Sequence, residues 1–408
     1  MSDMTRRVWC RWLGGVVSVP LLSGLSVTAC GGSDAALASD DDLSHDETLQ
    51  KALQAGADAG VTAGAVGFVL GMTDLDHLQW AVAGRKRLAK PTPLAAHDRM
   101  ALGSCTKALT AAVAGELVAS GRLTWRTRVA DVLSQAATTM HPMLMQLTVE
   151  HLVNHTGGLP WISGDTDGSL LEDFQVQVVS MHPPGMSVSE CRQVATRWLL
   201  QRAPVTGQLP GQSFSYSNAG YMVLAAMMEA VSGRSFEQLF EDVVVNQMGL
   251  HGRFRVDGQA LADEPAGHAG AKGYLHPVAM PDKDILPWWQ AWFHPAGGWS
   301  TPMASQLRWL RAHVLQFQGV NAGLPEPYWK RIRSAPAEGY EMGWQCIQGQ
   351  KGRALTHTGA TEGDTCLTLI PRDGRAALAA ATNTRAPQGS GWVDDAFAAA
   401  LSALNELP

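Results

Sequence analysis

Apolar positions along this chain fall into runs of different spacing, and the spacing predicts the elements. An apolar stretch over residues 13–27 follows Arg6, Arg7 and Arg11, and is too short and glycine-rich for a membrane-spanning helix. Helical spacing, with apolar residues three or four apart, marks residues 47–57, 104–121, 219–231 and 392–407. In the second of these Leu109, Val113 and Leu117 are four apart, and Gly121 and Gly233 stop the second and third. Short apolar runs at 65–71 and 78–84, then at 342–347, 354–358, 365–370 and 376–381, predict strands near both chain ends. The intervening region is mostly helical with long loops, and no internal repeat is visible. A unit of about 360 residues is large enough for two subdomains that share a cleft.

Three short motifs carry candidate chemistry. Ser104-Cys105-Thr106-Lys107 opens an apolar helix whose charged residues are Lys107 and Glu116. A three-residue offset puts both side chains on one helix face, and free backbone N–H groups at the helix start favour developing negative charge. A lysine against an apolar surface loses its proton more easily and can serve Ser104 as a base. Tyr216-Ser217-Asn218 follows a Pro210-Gly211 turn and precedes an apolar helix. A phenol there could relay a proton and a carboxamide could hold a substrate amide, although Asn218 also suits a plain helix N-cap. His357-Thr358-Gly359 lies on a predicted strand, where a glycine lets a substrate backbone approach. His155-Thr156-Gly157 spells the same triplet, but at a helix end with no strand to present it, so the role is expected of the second copy.

With these motifs the chain resembles the serine β-lactamases, penicillin-binding D-alanyl-D-alanine carboxypeptidases and related esterases. Tyr-x-Asn in the middle element places the resemblance nearer the class C branch. Segments 155–160, 216–221, 295–301 and 340–344 match in the same order. The resemblance implies an α+β fold, with an antiparallel sheet built from both chain ends, flanking helices and a mainly helical subdomain over roughly 104–300. It implies Ser104 as acylated nucleophile, Lys107 as base, Tyr216 as proton relay, Asn218 as amide holder and Thr358 as a hydroxyl for a substrate carboxylate. The backbone N–H groups of Ser104 and Ala360 would form the oxyanion hole, and His357 and Gly359 complete the substrate wall. His357 stands where class C enzymes usually carry lysine, so a permanent charge gives way to a mostly neutral ring. This variant resembles the carboxypeptidase and D-aminopeptidase-like members. Glu362 and Asp364 after the triplet are expected to disfavour anionic substrates, which points toward esters or amines.

Val27-Thr28-Ala29-Cys30 has the pattern of a lipoprotein signal, so residues 1–29 read as a signal peptide, Cys30 as the lipidated residue and 30–46 as a flexible tether. Residues 47–408 are the expected catalytic domain, exported to a bacterial cell envelope, periplasm-facing and membrane-bound through that anchor. Thr5-Arg6-Arg7 resembles a twin-arginine signal only faintly. The net charge of −6 becomes −8 without residues 1–29, which hold three arginines and one aspartate. No basic stripe appears, which excludes nucleic acid as a partner. The expected partner is a small-molecule, peptide or ester substrate, with cell-wall peptide and β-lactam as candidates. No cofactor and no metal is expected, and His151 and His155, four apart, read as structural.

Six cysteines include Cys10 and Cys30; of the rest, Cys346 and Cys366 could bridge neighbouring strands, while Cys105 reads as buried packing. Trp288, Trp289, Trp292 and Trp299 cluster near the Gly-Gly-Trp-Ser block, and at least one is expected to line the cleft.

Overall fold

The computed structural model describes residues 45–162, 168–256, 260–279, 283–349, 352–387 and 391–404. The expected signal peptide, Cys30 and nearly all of the tether lie outside the described residues. Among the described residues no helix is long and apolar enough to cross a membrane.

Helix α1 (Glu47–Thr62) starts where the Asp46 carboxylate accepts from the Thr48 and Leu49 amides. It buries Leu49, Leu53 and Ala57 against the sheet. Strands β1 (Gly67–Asp74), β2 (Leu78–Arg87) and β3 (Lys90–Pro93) follow. From the other end of the chain come β4 (Gly339–Glu341), β5 (Trp344–Gly349), β6 (Gly352–Ala360), β7 (Thr365–Pro371) and β8 (Ala376–Thr382). The sheet runs β3-β2-β1-β8-β7-β6-β5-β4, every pair antiparallel. Its two halves join where Phe68 faces Thr382 and Val69 faces Ala381. The six predicted strands are present with ends shifted or extended by up to three residues, and the structure adds the short edges β3 and β4.

Helix α8 (Trp392–Leu404) packs beside α1 on one face of the sheet, with the rings of Phe68 and Phe397 5.1 Å apart. The opposite face carries the larger core, built on α2 (Thr106–Ala119), α5 (Asn218–Ser232), α6 (Leu286–Gly297) and α7 (Met303–Phe317). Residues Thr106 to Gly115 of α2 are buried without exception, as expected of a helix apolar on all sides. Buried ions tie its neighbours together. Arg192 on α4 (Val188–Leu200) is fully buried, bonded to Glu229 on α5 and, at 2.7 Å, to Glu237. His294 on α6 donates to the same Glu237 at 2.9 Å. Such clusters hold only because each charge has a partner.

Cys346 and Cys366 do not bridge. They lie on β5 and β7, with β6 between them, facing Leu355 and Gly359 respectively, and both are free. Cys105 is buried as expected, its thiol 3.4 Å from the His357 carbonyl.

Candidate active site

The three motifs converge at the junction of sheet and helical core. Gly103 takes a left-handed turn (φ +50°), and a 3₁₀ turn over Gly103–Cys105 leads into α2. The edge of β6 presses against this turn. A Cβ on Gly359 would lie 1.8 Å from the Leu102 carbonyl oxygen, and one on Gly103 would lie 2.5 Å from the Ala360 amide nitrogen. No larger residue fits at either position, and the contact sets the amides of Ser104 and Ala360 beside each other. Leu102 is fixed from the other side, its amide donating to Trp299 O at 2.9 Å.

Lys107 is fully buried one turn further on. Its Nζ lies 2.7 Å from Asn218 Oδ1, 2.7 Å from Ala296 O and 3.1 Å from Ser104 Oγ. The Asn218 amide orientation is defined, because its Nδ2 donates to Ile162 O at 3.2 Å. Burial pushes the Lys107 pKa well below that of free lysine. A neutral amine has two protons and one lone pair. The two short contacts are to obligate acceptors and use both protons, so the lone pair faces the longest contact, the Ser104 hydroxyl. That arrangement can take the serine proton. The rings of Tyr216 and Tyr221 lie 4.9 and 5.4 Å from Nζ, placed to stabilise the ammonium once it forms.

Burial holds the Tyr216 phenol well above its ordinary pKa, outweighing the lowering effect of the nearby Ser104 hydroxyl. The group is therefore a protonated phenol at neutral pH, suited to passing a proton on and not to acting as a standing base. Ser217, not Asn218, is the N-cap of α5, its hydroxyl accepting from Gly220 N at 2.9 Å. Asn218 is left free to reach Lys107.

His357 on β6 is buried and uncharged. Its Nδ1–H donates to the Thr358 carbonyl at 2.7 Å, so Nε2 accepts from the Tyr340 hydroxyl at 2.9 Å. Burial is the main cause that pulls its pKa down to about 3. Thr358 is half-buried, and Ala360 is exposed at the strand end. Asp364 is not offered to a substrate as expected. It is buried, accepting from Arg255 at 3.2 Å and from Thr361 Oγ1 at 3.0 Å. Of the four tryptophans singled out, Trp288, Trp292 and Trp299 are buried in the helical core and Trp289 is 37% exposed, while the half-exposed ring beside Tyr216 is Trp161.

His155, set aside above as a decoy, sits directly behind the site. The short helix α3 (Val149–Val153) ends at Asn154, and His155 adopts a left-handed φ of +57°. Its carbonyl accepts from Ser215 N at 2.7 Å and its Nδ1 from Ser217 N at 3.0 Å, so it grips the chain on both sides of Tyr216. Its ring centroid lies 4.2 Å from that of Tyr216 and 4.5 Å from that of Tyr340. His155→Ala is expected to lower the acylation rate about 10²-fold, because small misplacements of a reacting group have effects of that size. His155→Asn, which keeps an acceptor and tolerates the left-handed turn, should recover about tenfold of this loss. KM for a small ester should change far less than kcat in both variants. Equal, near-parental kcat values would show that the grip does not matter. His151 instead caps α3, its Nδ1 accepting from Thr148 N at 3.3 Å. Among the described residues no group of three or more His, Cys, Asp or Glu side chains could hold a metal ion.

With this geometry in hand, comparison with known proteins is decisive at the family level. The β-lactamase family pattern matches residues 47–403. The chain belongs to the β-lactamase family. This β-lactamase-family chain is 30% identical over 188 residues to penicillin-binding protein 4 of Amycolatopsis lactamdurans, covering 45% of this chain and 43% of that protein. It spans half or less of the length of the curated relatives it matches. Among solved structures, the class C β-lactamase from Rhodobacter sphaeroides superposes with a TM-score of 0.64 at 16% identity, covering 87% of this chain and 98% of that one. D-amino acid amidase from Ochrobactrum anthropi SV3, complexed with L-phenylalanine, gives 0.63 at 18% identity, covering 87% and 98%. These likenesses establish the fold, and membership places the β-lactamase-family chain in the serine hydrolase superfamily of β-lactamases and penicillin-binding proteins.

The family site here is crowded with buried neutral histidines, which makes a stability prediction. His155 and His357, with His294 and His313 in the core, all have pKa values lowered, chiefly by burial, His313 to about 4. The unfolded chain binds protons on these rings below about pH 6.5, while the folded chain refuses them. Stability is therefore complete above about pH 6.5 and declines as pH falls below it. Thermal melts at pH 7.5 and 5 should show a clear drop, and unchanged midpoints would contradict the assignment of these rings as neutral.

Proposed function

We propose that this chain is an exported serine hydrolase that cleaves amide or ester bonds through an acyl-enzyme, in the manner of penicillin-binding D-alanyl-D-alanine carboxypeptidases. Ser104 attacks the carbonyl carbon while its proton passes to the Lys107 amine. The Ser104 and Ala360 amides bind the oxygen as it gains charge, where such donors contribute several kcal/mol. The proton then passes from the Lys107 ammonium through Tyr216 to the departing group, and Asn218 and Thr358 hold the substrate. Water then releases the acyl group from Ser104 by the reverse flow of protons. The observation that carries this reading is the Lys107 amine, buried, with two acceptors using its protons and its third contact the Ser104 hydroxyl.

A second reading within the same chemistry, an esterase or amidase with little affinity for β-lactams, is favoured by the neutral His357. It supplies no permanent charge for a substrate carboxylate, so that role rests on Thr358 alone. Lipid attachment at Cys30 and a periplasm-facing location are supported by the signal pattern of the sequence. Intact-protein mass spectrometry after mixing with benzylpenicillin, with Ser104→Ala as control, tests the proposal. A persistent serine-dependent adduct supports the peptidase, and a fleeting one with hydrolysed product supports a β-lactamase. No adduct favours the esterase reading, provided esters are turned over in a Ser104-dependent way.

A further inference from the structure

The mouth of the site is rimmed by large apolar rings that no core packing requires. Trp161 is 45% exposed and Phe214 is 56% exposed. Rings of this size are normally covered, and their exposure beside a cleft marks a place where something apolar is meant to bind. Trp161 stands edge-on to Tyr216 with ring centroids 5.8 Å apart, and Phe214 lies 5.9 Å from both His155 and Tyr340.

The backbone holds Trp161 in this outward position. Its carbonyl accepts from Asn218 N at 3.1 Å, and the next carbonyl, of Ile162, accepts from Asn218 Nδ2. Ile162 adopts a φ of +54° with its side chain buried, an unfavourable conformation for a β-branched residue that the two Asn218 bonds maintain. The side chain that sets the Lys107 amine thus also sets the tryptophan. Two of the nearby carboxylates have internal partners. Asp364 is paired with Arg255, and Glu341 with Arg331 at 2.8 Å.

We propose that Trp161 forms the wall of an apolar acyl subsite, so that the preferred substrate carries an uncharged aromatic or bulky aliphatic acyl group on the Asn218 side of the scissile carbonyl. The proposal rests on the acyl-enzyme reading above and adds the substrate class. The acyl side is assigned to Trp161 because Asn218, which holds the acyl amide in that reading, is bonded to the Trp161 carbonyl. Phe214 continues the apolar rim toward Tyr340 and His357, on the side of the departing group.

The test is hydrolysis of 4-nitrophenyl acetate and 4-nitrophenyl phenylacetate by the full chain, with a common leaving group and different acyl groups. The parent protein should prefer phenylacetate in kcat/KM. Trp161→Ala should lower that ratio roughly tenfold, the scale on which a hydrophobic pocket discriminates. Tyr274→Ala, which removes an 83% exposed ring from an outlying strand, should leave the ratio at the parental value. An equal fall on both esters, or no fall, in Trp161→Ala would overturn the subsite while leaving the hydrolase reading intact. Absence of turnover of either ester by the parent protein, together with no acylation of Ser104, would overturn both.

Discussion

Lys107→Met is expected to reduce acylation of Ser104 about 10⁴-fold, close to the effect of Ser104→Ala, because residues acting as one unit lose nearly everything singly. Methionine keeps the volume of the buried stem, so the fold should survive. What disappears is the lone pair that faces Ser104 Oγ and the two bonds that hold Asn218 and the Ala296 carbonyl. Both acceptors are then left without their donor, and a loss of about 1–3 kcal/mol in stability should accompany the catalytic defect. The pH profile gives a second reading. Since burial lowers the Lys107 pKa, the parent enzyme should be active with the amine neutral and lose activity as pH falls through that depressed value. The acid limb should therefore lie well below the range of free lysine and vanish with Lys107→Met. Stopped-flow measurement of 4-nitrophenol release across pH checks both points. An acid limb unaltered by the substitution would assign it to another group.

Gly359→Ala is expected to lower kcat by about 10²–10³-fold, the size of effect seen when one oxyanion donor is lost. Its new methyl would sit 1.8 Å from the Leu102 carbonyl oxygen and 3.1 Å from the Ser104 amide, both backbone atoms. Neither can yield without moving β6 or the nucleophile turn, and either shift parts the two amides. KM should change much less than kcat, since the rest of the cleft is untouched. Gly103→Ala attacks the same contact from the other side and adds strain at φ +50°. Circular dichroism and a thermal melt on each variant separate a displaced strand from a failure to fold. A folded Gly359→Ala variant with parental kcat would show that the two amides do not act on the reacting oxygen.

The fold was legible in the sequence wherever local pattern decides structure. The apolar spacing of α2, α5 and the terminal strands reflects burial that each segment undergoes by itself, and the stops at Gly121 and Gly233 are left-handed turns, as glycine there suggests. Residues whose meaning depends on distant partners were less legible. His155 was judged by the absence of a strand, yet its importance comes from Ser215 and Ser217, about sixty positions later. Asp364 looked like a free charge beside a pocket because Arg255 is 109 residues away. The register of β5, β6 and β7 decides that Cys346 and Cys366 are not neighbours, and a spacing of twenty residues carries no register. Asn218 and Ser217 are both good helix caps, and only the Lys107 contact shows why the serine takes that task. The tryptophan-rich stretch was conspicuous by number, whereas Trp161 is a single residue exposed by a turn that Asn218 maintains.

The central claim is that Ser104 becomes covalently acylated. Quenching the enzyme with acid during turnover of 4-nitrophenyl phenylacetate, followed by intact mass and peptide mapping, tests it most directly. The account predicts one acyl group per chain, located on Ser104, together with a burst of 4-nitrophenol of matching size, and neither in Ser104→Ala. Turnover of the ester with no burst and no adduct, or an adduct on another residue that persists in Ser104→Ala, would contradict it.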